Sequence, residues 1–138
     1  MKPALRAALE RSTFRLAPSD APYGVGAKSD FRLVPFRSIA IDLAPDSPVK
    51  LGQVLFIPRL RGAPLTLIDG SRTEHDGYVM AVDTGGAIKG SHVDFFEGPQ
   101  AQDILVPQLA QPFLAFAVTD PNITTRLAQQ HKRARSEP

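Results

Sequence analysis

Between positions 75 and 98 the chain gathers most of the side chains able to do chemistry: His75-Asp76, Asp83-Thr84-Gly85-Gly86, Lys89 and His92-Val93-Asp94. Asp83 follows directly on the apolar run Tyr78-Val79-Met80-Ala81-Val82, and two glycines come next. The backbone there is either turned tightly or approached closely. Asp94 stands between Val93 and Phe95, in an apolar and aromatic stretch. A carboxyl group buried in such a strand is desolvated, and its pKa rises. That is how a carboxyl becomes a general acid near neutral pH. The structural alternative is plainer: Asp83 caps the turn that follows it, and Asp94 faces water on an edge strand. His75 with Asp76, and His92 with Asp94, lack a ligand spacing that suits a metal, so neither a metal nor another cofactor is expected.

The elements that must hold these residues read as mostly β. Apolar runs predict strands within Phe31 to Ile41, Leu51 to Ile57 (ended by Pro58), around Leu65, and over Tyr78 to Val82. Shorter ones are expected at Ala87-Ile88 and Val93 to Phe96, and a last at Phe113 to Val118. Residues 12–30 and the Pro45-Asp46-Ser47-Pro48 stretch read as loop. Asp120-Pro121 opens a helix, with Asp120 as N-cap and Pro121 at its first position. Ile123, Leu127 and Gln130 are expected on its inner face, and the basic tail His131-Lys132-Arg133-Ala134-Arg135 suits the C-terminal end of its dipole. Near the start, Leu5 and Leu9 share one face of a short amphipathic helix. Arg6, Glu10 and Arg11 interrupt any apolar run there, so an export signal is not expected. Short strands with helices only at the ends point to a small closed barrel, with a sandwich as the competing all-β arrangement.

Composition narrows the classes. The 138 residues suffice for one domain with short extensions. With 13 prolines and 10 glycines, long helices cannot dominate. The absence of cysteine excludes disulfides, thiolate zinc sites and cysteine nucleophiles. A net charge of +2 is too weak to imply a nucleic-acid partner. No apolar run reaches the roughly 20 residues of a membrane helix.

The stretch from Asp83 to Gly98, D-T-G-G-A-I-K-G-S-H-V-D-F-F-E-G, closely resembles the signature of the 3D domain, named for its three aspartates. That domain forms the catalytic part of membrane-bound lytic murein transglycosylase A and occurs in smaller cell-wall-lytic proteins. Upstream, Val34-Pro35-Phe36-Arg37-Ser38-Ile39-Ala40-Ile41-Asp42 looks like the segment carrying the family's first aspartate, and Leu51 to Pro58 like the strand after it. The resemblance covers roughly residues 22–120, leaving an N-terminal extension (1–21) and a C-terminal helix and tail (121–138). It implies an all-β fold, a six-stranded double-psi β-barrel, with short terminal helices.

It also implies a function. By position Asp94 matches the catalytic acid/base, Asp83 the second aspartate that shapes its environment, and Asp42 the first. Lys89 matches a position that is usually lysine, able to pair with an aspartate or touch substrate. Gly85 and Gly86 would let substrate approach the backbone, and Tyr23, in a Pro-Gly loop, is the better placed tyrosine to stack on a sugar. The expected partner is the glycan strand of peptidoglycan, cleaved without water to leave 1,6-anhydromuramoyl ends, in the cell envelope. Two departures qualify this. Leu43-Ala44-Pro45-Asp46-Ser47-Pro48 is an apparent insertion after Asp42, with Asp46 as a competitor for the first aspartate. The chain also has no room for the second domain that completes the groove in transglycosylase A. A non-catalytic glycan-binding barrel is therefore the alternative. Burial of Asp94 would favour the enzyme, and its exposure the binder.

Overall fold

The computed structural model describes residues 19–27, 30–67, 69–85, 88–97 and 112–133. The expected N-terminal helix, the strand at Ala87 and the end of the basic tail lie outside the described residues. Among the described residues seven short strands and one α-helix follow in order: β1 (Ser38–Ile41), β2 (Val54–Phe56), β3 (Pro64–Thr66), β4 (Arg72–Glu74), β5 (Tyr78–Thr84), β6 (Asp94–Phe95), β7 (Phe116–Ala117) and α1 (Pro121–His131), with a 3-10 turn at Pro58–Leu60 after β2. The architecture is mainly β. Five strands form one sheet in the order β6-β1-β5-β2-β7, and β3 and β4 form a separate ribbon. β1 and β5 run parallel, while β6 lies antiparallel on β1, and β2 and β7 complete the far side antiparallel. Among the described residues β6 and β7 are the two edges, and they do not pair with each other.

The strands are shorter than the apolar runs suggest, for local reasons. Pro35 and Phe36 turn the chain ahead of β1, and Phe36 takes a left-handed φ of 65°. β4 escapes an apolar reading because all three of its side chains are exposed. It forms only as the partner of β3.

The five-stranded sheet has apolar side chains on both faces. Ile39, Ile41, Leu55, Val79 and Ala81 join the larger core with Phe36, Ile57 and Leu60. Met80, Val54 and Val82 point the other way, onto Leu127 of α1. The helix begins as expected: the Asp120 carboxylate accepts from the Asn122 amide at 2.9 Å, and Pro121 follows it. Its far end is fastened to the segment before β1. Arg32 donates its backbone amide to the His131 carbonyl at 2.7 Å and its Nε to the Gln130 carbonyl at 3.1 Å. Those carbonyls would otherwise lack partners. Arg133 pairs with Asp20 at 3.1 Å across the same junction. No helix among the described residues is long and apolar enough to cross a membrane.

One contact in this junction leaves no room for a side chain. Ala27 donates its amide to the Val82 carbonyl at 2.9 Å, and a Cβ on neighbouring Gly26 would overlap that same carbonyl. Glycine is required for the segment to lie this close to β5.

Two buried histidines are fixed as neutral tautomers. His75 Nδ1 accepts from the Gly77 amide at 2.8 Å, so Nε2 carries the proton and donates to the Phe36 carbonyl at 2.6 Å. His131 Nδ1 donates to the Leu127 carbonyl at 2.8 Å, so Nε2 is left to accept from Ser38 Oγ at 2.9 Å. Burial holds both pKa values below the usual 6.5, and nearby Arg37 adds to this in each case. Gln130, assigned to the inner face from the sequence, is only half-buried. His131, taken with the basic tail, is fully buried instead.

Two outcomes follow. The unfolded chain takes up protons near pH 6.5 while the native histidines do not, so stability falls as pH drops below that value. Thermal melts from pH 7.5 to 5.0 should show a falling midpoint, because each histidine removes up to about 1.4 kcal/mol of stability per pH unit. His75→Gln should melt lower throughout but with a shallower slope. Gly26→Ala should lower stability by about 1–3 kcal/mol, measured by urea unfolding, because the new methyl forces the Val82 carbonyl away from the backbone at position 26.

Candidate active site

Three strands place two of the aspartates in one row. β1 lies between β6 and β5, and Ala40 is the cross-strand partner of both Asp94 and Asp83. Residues paired across a sheet project from the same face. The two aspartates are therefore two strand spacings apart at the backbone, about 10 Å. The methyl of Ala40 is all that stands between them.

Asp83 reaches this face through an irregularity. Along β5, Val79 and Ala81 face the larger core, so unbroken alternation would send Asp83 into it as well. The pairing shifts between Ile39 and Ala40: Ile39 lies opposite Ala81, but Ala40 lies opposite Asp83. Val82 is the extra residue, and such a bulge reverses the alternation. Asp83 then joins Ser38 and Ala40 on the other face. The carbonyl of Val82 is the one that Ala27 satisfies.

Ser38, Ala40, Asp83, Asp94 and Phe96 line a pocket of about 100 Å³ at this point. That is below the 300–1,000 Å³ of an ordinary ligand site. It can receive one chemical group rather than a whole ligand. Its floor is tied to α1, since Ser38 Oγ accepts from the Val34 amide at 2.8 Å and donates to buried His131. The sequence reading missed Ser38 and His131. The spacing Ile123, Leu127, His131 places all three on one helical face and was the available signal.

Asp94 is exposed, and Asp83 is half-buried. Desolvation of Asp94 within its strand, expected from its apolar neighbours, does not occur. β6 is a two-residue edge strand, and only alternate positions face inward. Phe95 packs on the core against Phe113, with ring centres 6.3 Å apart, while Asp94 is turned outward.

Asp42 works differently from the other two. It is buried just past the end of β1, and its carboxylate accepts two backbone amides, Gly90 at 2.8 Å and Ala44 at 3.1 Å. The Gly90 bond is the larger cause holding its pKa below the usual carboxylate value, followed by Ala44, with the Lys89 charge acting in the same direction. Asp42 thus pins the loop that leads from β5 to β6. Gly90, at φ 63°, occupies the left-handed region that loop requires. Asp46 is exposed and makes no such link. Lys89 is exposed on the loop, close enough for its charge to act on Asp42. Gly85 sits tightly against Ile88, and Gly86 lies outside the described residues.

Tyr23 stands one aromatic ring away from the pocket. Its ring centre is 6.0 Å from that of Phe96, and it lines a separate recess rather than the acidic pocket itself. Both ring nitrogens of His75 are engaged within the protein. Among the described residues no group of three histidine, cysteine, aspartate or glutamate side chains could hold a metal ion.

Comparison with protein families matches residues 37–104 to the 3D domain. The chain carries a 3D domain. The match contains Asp42, Asp83 and Asp94 and excludes Tyr23 and α1. The 3D domain family is associated with peptidoglycan. No curated protein and no solved structure matches the chain.

In this 3D domain, Asp42 acts as the pin of the β5–β6 loop. Asp42→Ala should therefore make the Gly90 amide exchange with solvent faster than in the parent protein, as read by hydrogen–deuterium exchange. Amides of α1 should be little changed.

Proposed function

We propose that the Asp83–Asp94 pocket cleaves the glycan strands of peptidoglycan by lytic transglycosylation. The observation that carries this reading is the shared row: one alanine separates two carboxylates on the same face, in a pocket the size of one reacting group. Protonated Asp94 donates its proton to the oxygen joining N-acetylmuramic acid to N-acetylglucosamine, and the bond from that oxygen to the muramoyl anomeric carbon breaks. An oxocarbenium-like centre develops. The ionised Asp94 then takes the proton of the muramoyl 6-hydroxyl as that oxygen bonds to the anomeric carbon. One carboxyl serves as acid and then base, and no water is consumed. Ordinary glycosidases need two working carboxyls at a set separation.

Asp83 supplies negative charge facing the positive centre as it forms. Asp94 is open to water in the free protein. A glycan lying over β6 would cover it, and desolvation would then favour its protonated form. Asp42, through Gly90, holds the loop that carries Lys89.

We further infer a double-psi β-barrel. The parallel β1–β5 pair flanked by antiparallel strands is compatible with one. A site in the cell envelope goes with the substrate. A second reading has a specific observation in its favour. The exposure of Asp94 suits a barrel that binds glycan without cutting it.

Incubation of the protein with peptidoglycan sacculi, beside Asp94→Asn, separates these readings by mass spectrometry of the soluble products. Muropeptides with 1,6-anhydromuramoyl ends, absent with Asp94→Asn, are expected. Reducing ends would instead mean a hydrolase in which Asp83 activates water. Sedimentation of the protein with sacculi and no release would mean a binding module.

A further inference from the structure

A pocket of about 100 Å³ cannot by itself hold a sugar chain in register, so binding must come from a neighbouring surface. One such surface adjoins it. Tyr23, Pro35, Phe36, Leu67 and Asp69 line an open recess of about 420 Å³, within the range of ligand sites. Phe96 connects the two. It lines the acidic pocket, its ring packs on Tyr23, and its carbonyl accepts the Phe36 amide at 2.7 Å.

The recess is built rather than incidental. Phe36 is the one non-glycine described residue with positive φ, at 65°, a conformation unfavourable for a bulky side chain. It persists because hydrogen bonds hold both sides of the residue. The amide is bound to Phe96, and the carbonyl accepts from buried His75. Strain fixed in this way concentrates where a ligand is gripped. The lining is aromatic and aliphatic, with a single carboxylate, Asp69, exposed at its rim. Asp69 accepts from the amide and hydroxyl of Ser71, which lowers its pKa and keeps it ionised.

We propose that this recess is a saccharide subsite that takes the neutral N-acetylhexosamine of the glycan, adjoining the bond presented to Asp94. The apolar face of a pyranose would lie on Tyr23, beside Pro35 and Leu67, and a hydroxyl or amide N–H would donate to Asp69. A sugar carrying its own carboxylate would meet the negative rim and bind less well. The inference rests on the glycan reading of the acidic pocket. It assigns a role to Tyr23, which lies outside the family match.

The test uses the full chain and a defined neutral probe, an N-acetylglucosamine tetramer, titrated by calorimetry. Tyr23→Ala and Leu67→Glu should each weaken binding about tenfold, the scale of one aromatic or burial contact. Leu67 is partly exposed, so its variant keeps the test valid if Tyr23→Ala fails to fold. Unchanged affinity in both variants would overturn the subsite. So would failure of the parent to bind the tetramer while it still releases anhydromuropeptides from sacculi. Equal affinity for the free monosaccharides N-acetylglucosamine and N-acetylmuramic acid would overturn the choice of the neutral sugar. Tetramer binding that both variants weaken, in a protein that releases nothing from sacculi, would support the subsite and remove catalysis alone.

Discussion

The site depends on one extra residue in β5. Val82 breaks the register with β1 and turns Asp83 from the larger core to the face shared by Ala40 and Asp94. A carboxylate buried among Ile39, Val79 and Ala81 would be costly without a partner. The bulge avoids that cost and creates the pocket in the same step. It also leaves a carbonyl to be satisfied, which Ala27 does, and that contact demands glycine at position 26. The segment before the 3D domain is thus coupled to the aspartate row through the backbone.

Much of this was legible in the sequence, and the reasons for the rest are physical. Asp120-Pro121 is a local signal, and the helix starts there because capping needs nothing from elsewhere in the chain. The apolar runs located β1, β2, β5 and β6, but not their ends. The turn at Pro35-Phe36 cuts one run short, and tertiary contacts alone hold Phe36 in its left-handed conformation. The bulge was not legible at all, since Val82 looks like any other strand valine. Exposure of Asp94 ran against its apolar neighbours because a two-residue edge strand buries only alternate positions. His131 was read as part of a basic tail, and its burial became evident only with Ser38 beside it.

The three aspartates lie within one family match without sharing an environment. Asp42 is held ionised by backbone amides and shapes a loop. Asp83 is half-buried beside the bulge, and Asp94 is open to solvent. This division lets one carboxylate fix geometry while the others stay available to a ligand. Under the proposed reading the small pocket and the larger apolar recess would divide the work in the same way, one for the reacting group and the other for grip.

The junction of Asp20, Arg32 and the end of α1 has a consequence for how the chain is made. Arg133 and Asp20 are 113 positions apart in sequence, and His131 and Ser38 are 93 apart. Closing loops of that length is entropically unfavourable and comes late in folding. During synthesis the strands of the 3D domain leave the ribosome well before α1 does. Until the helix arrives, Ser38 lacks its histidine, and Val54, Met80 and Val82 lack Leu127. The nascent protein therefore passes through a stage in which its aspartates have been made but the floor beneath them has not.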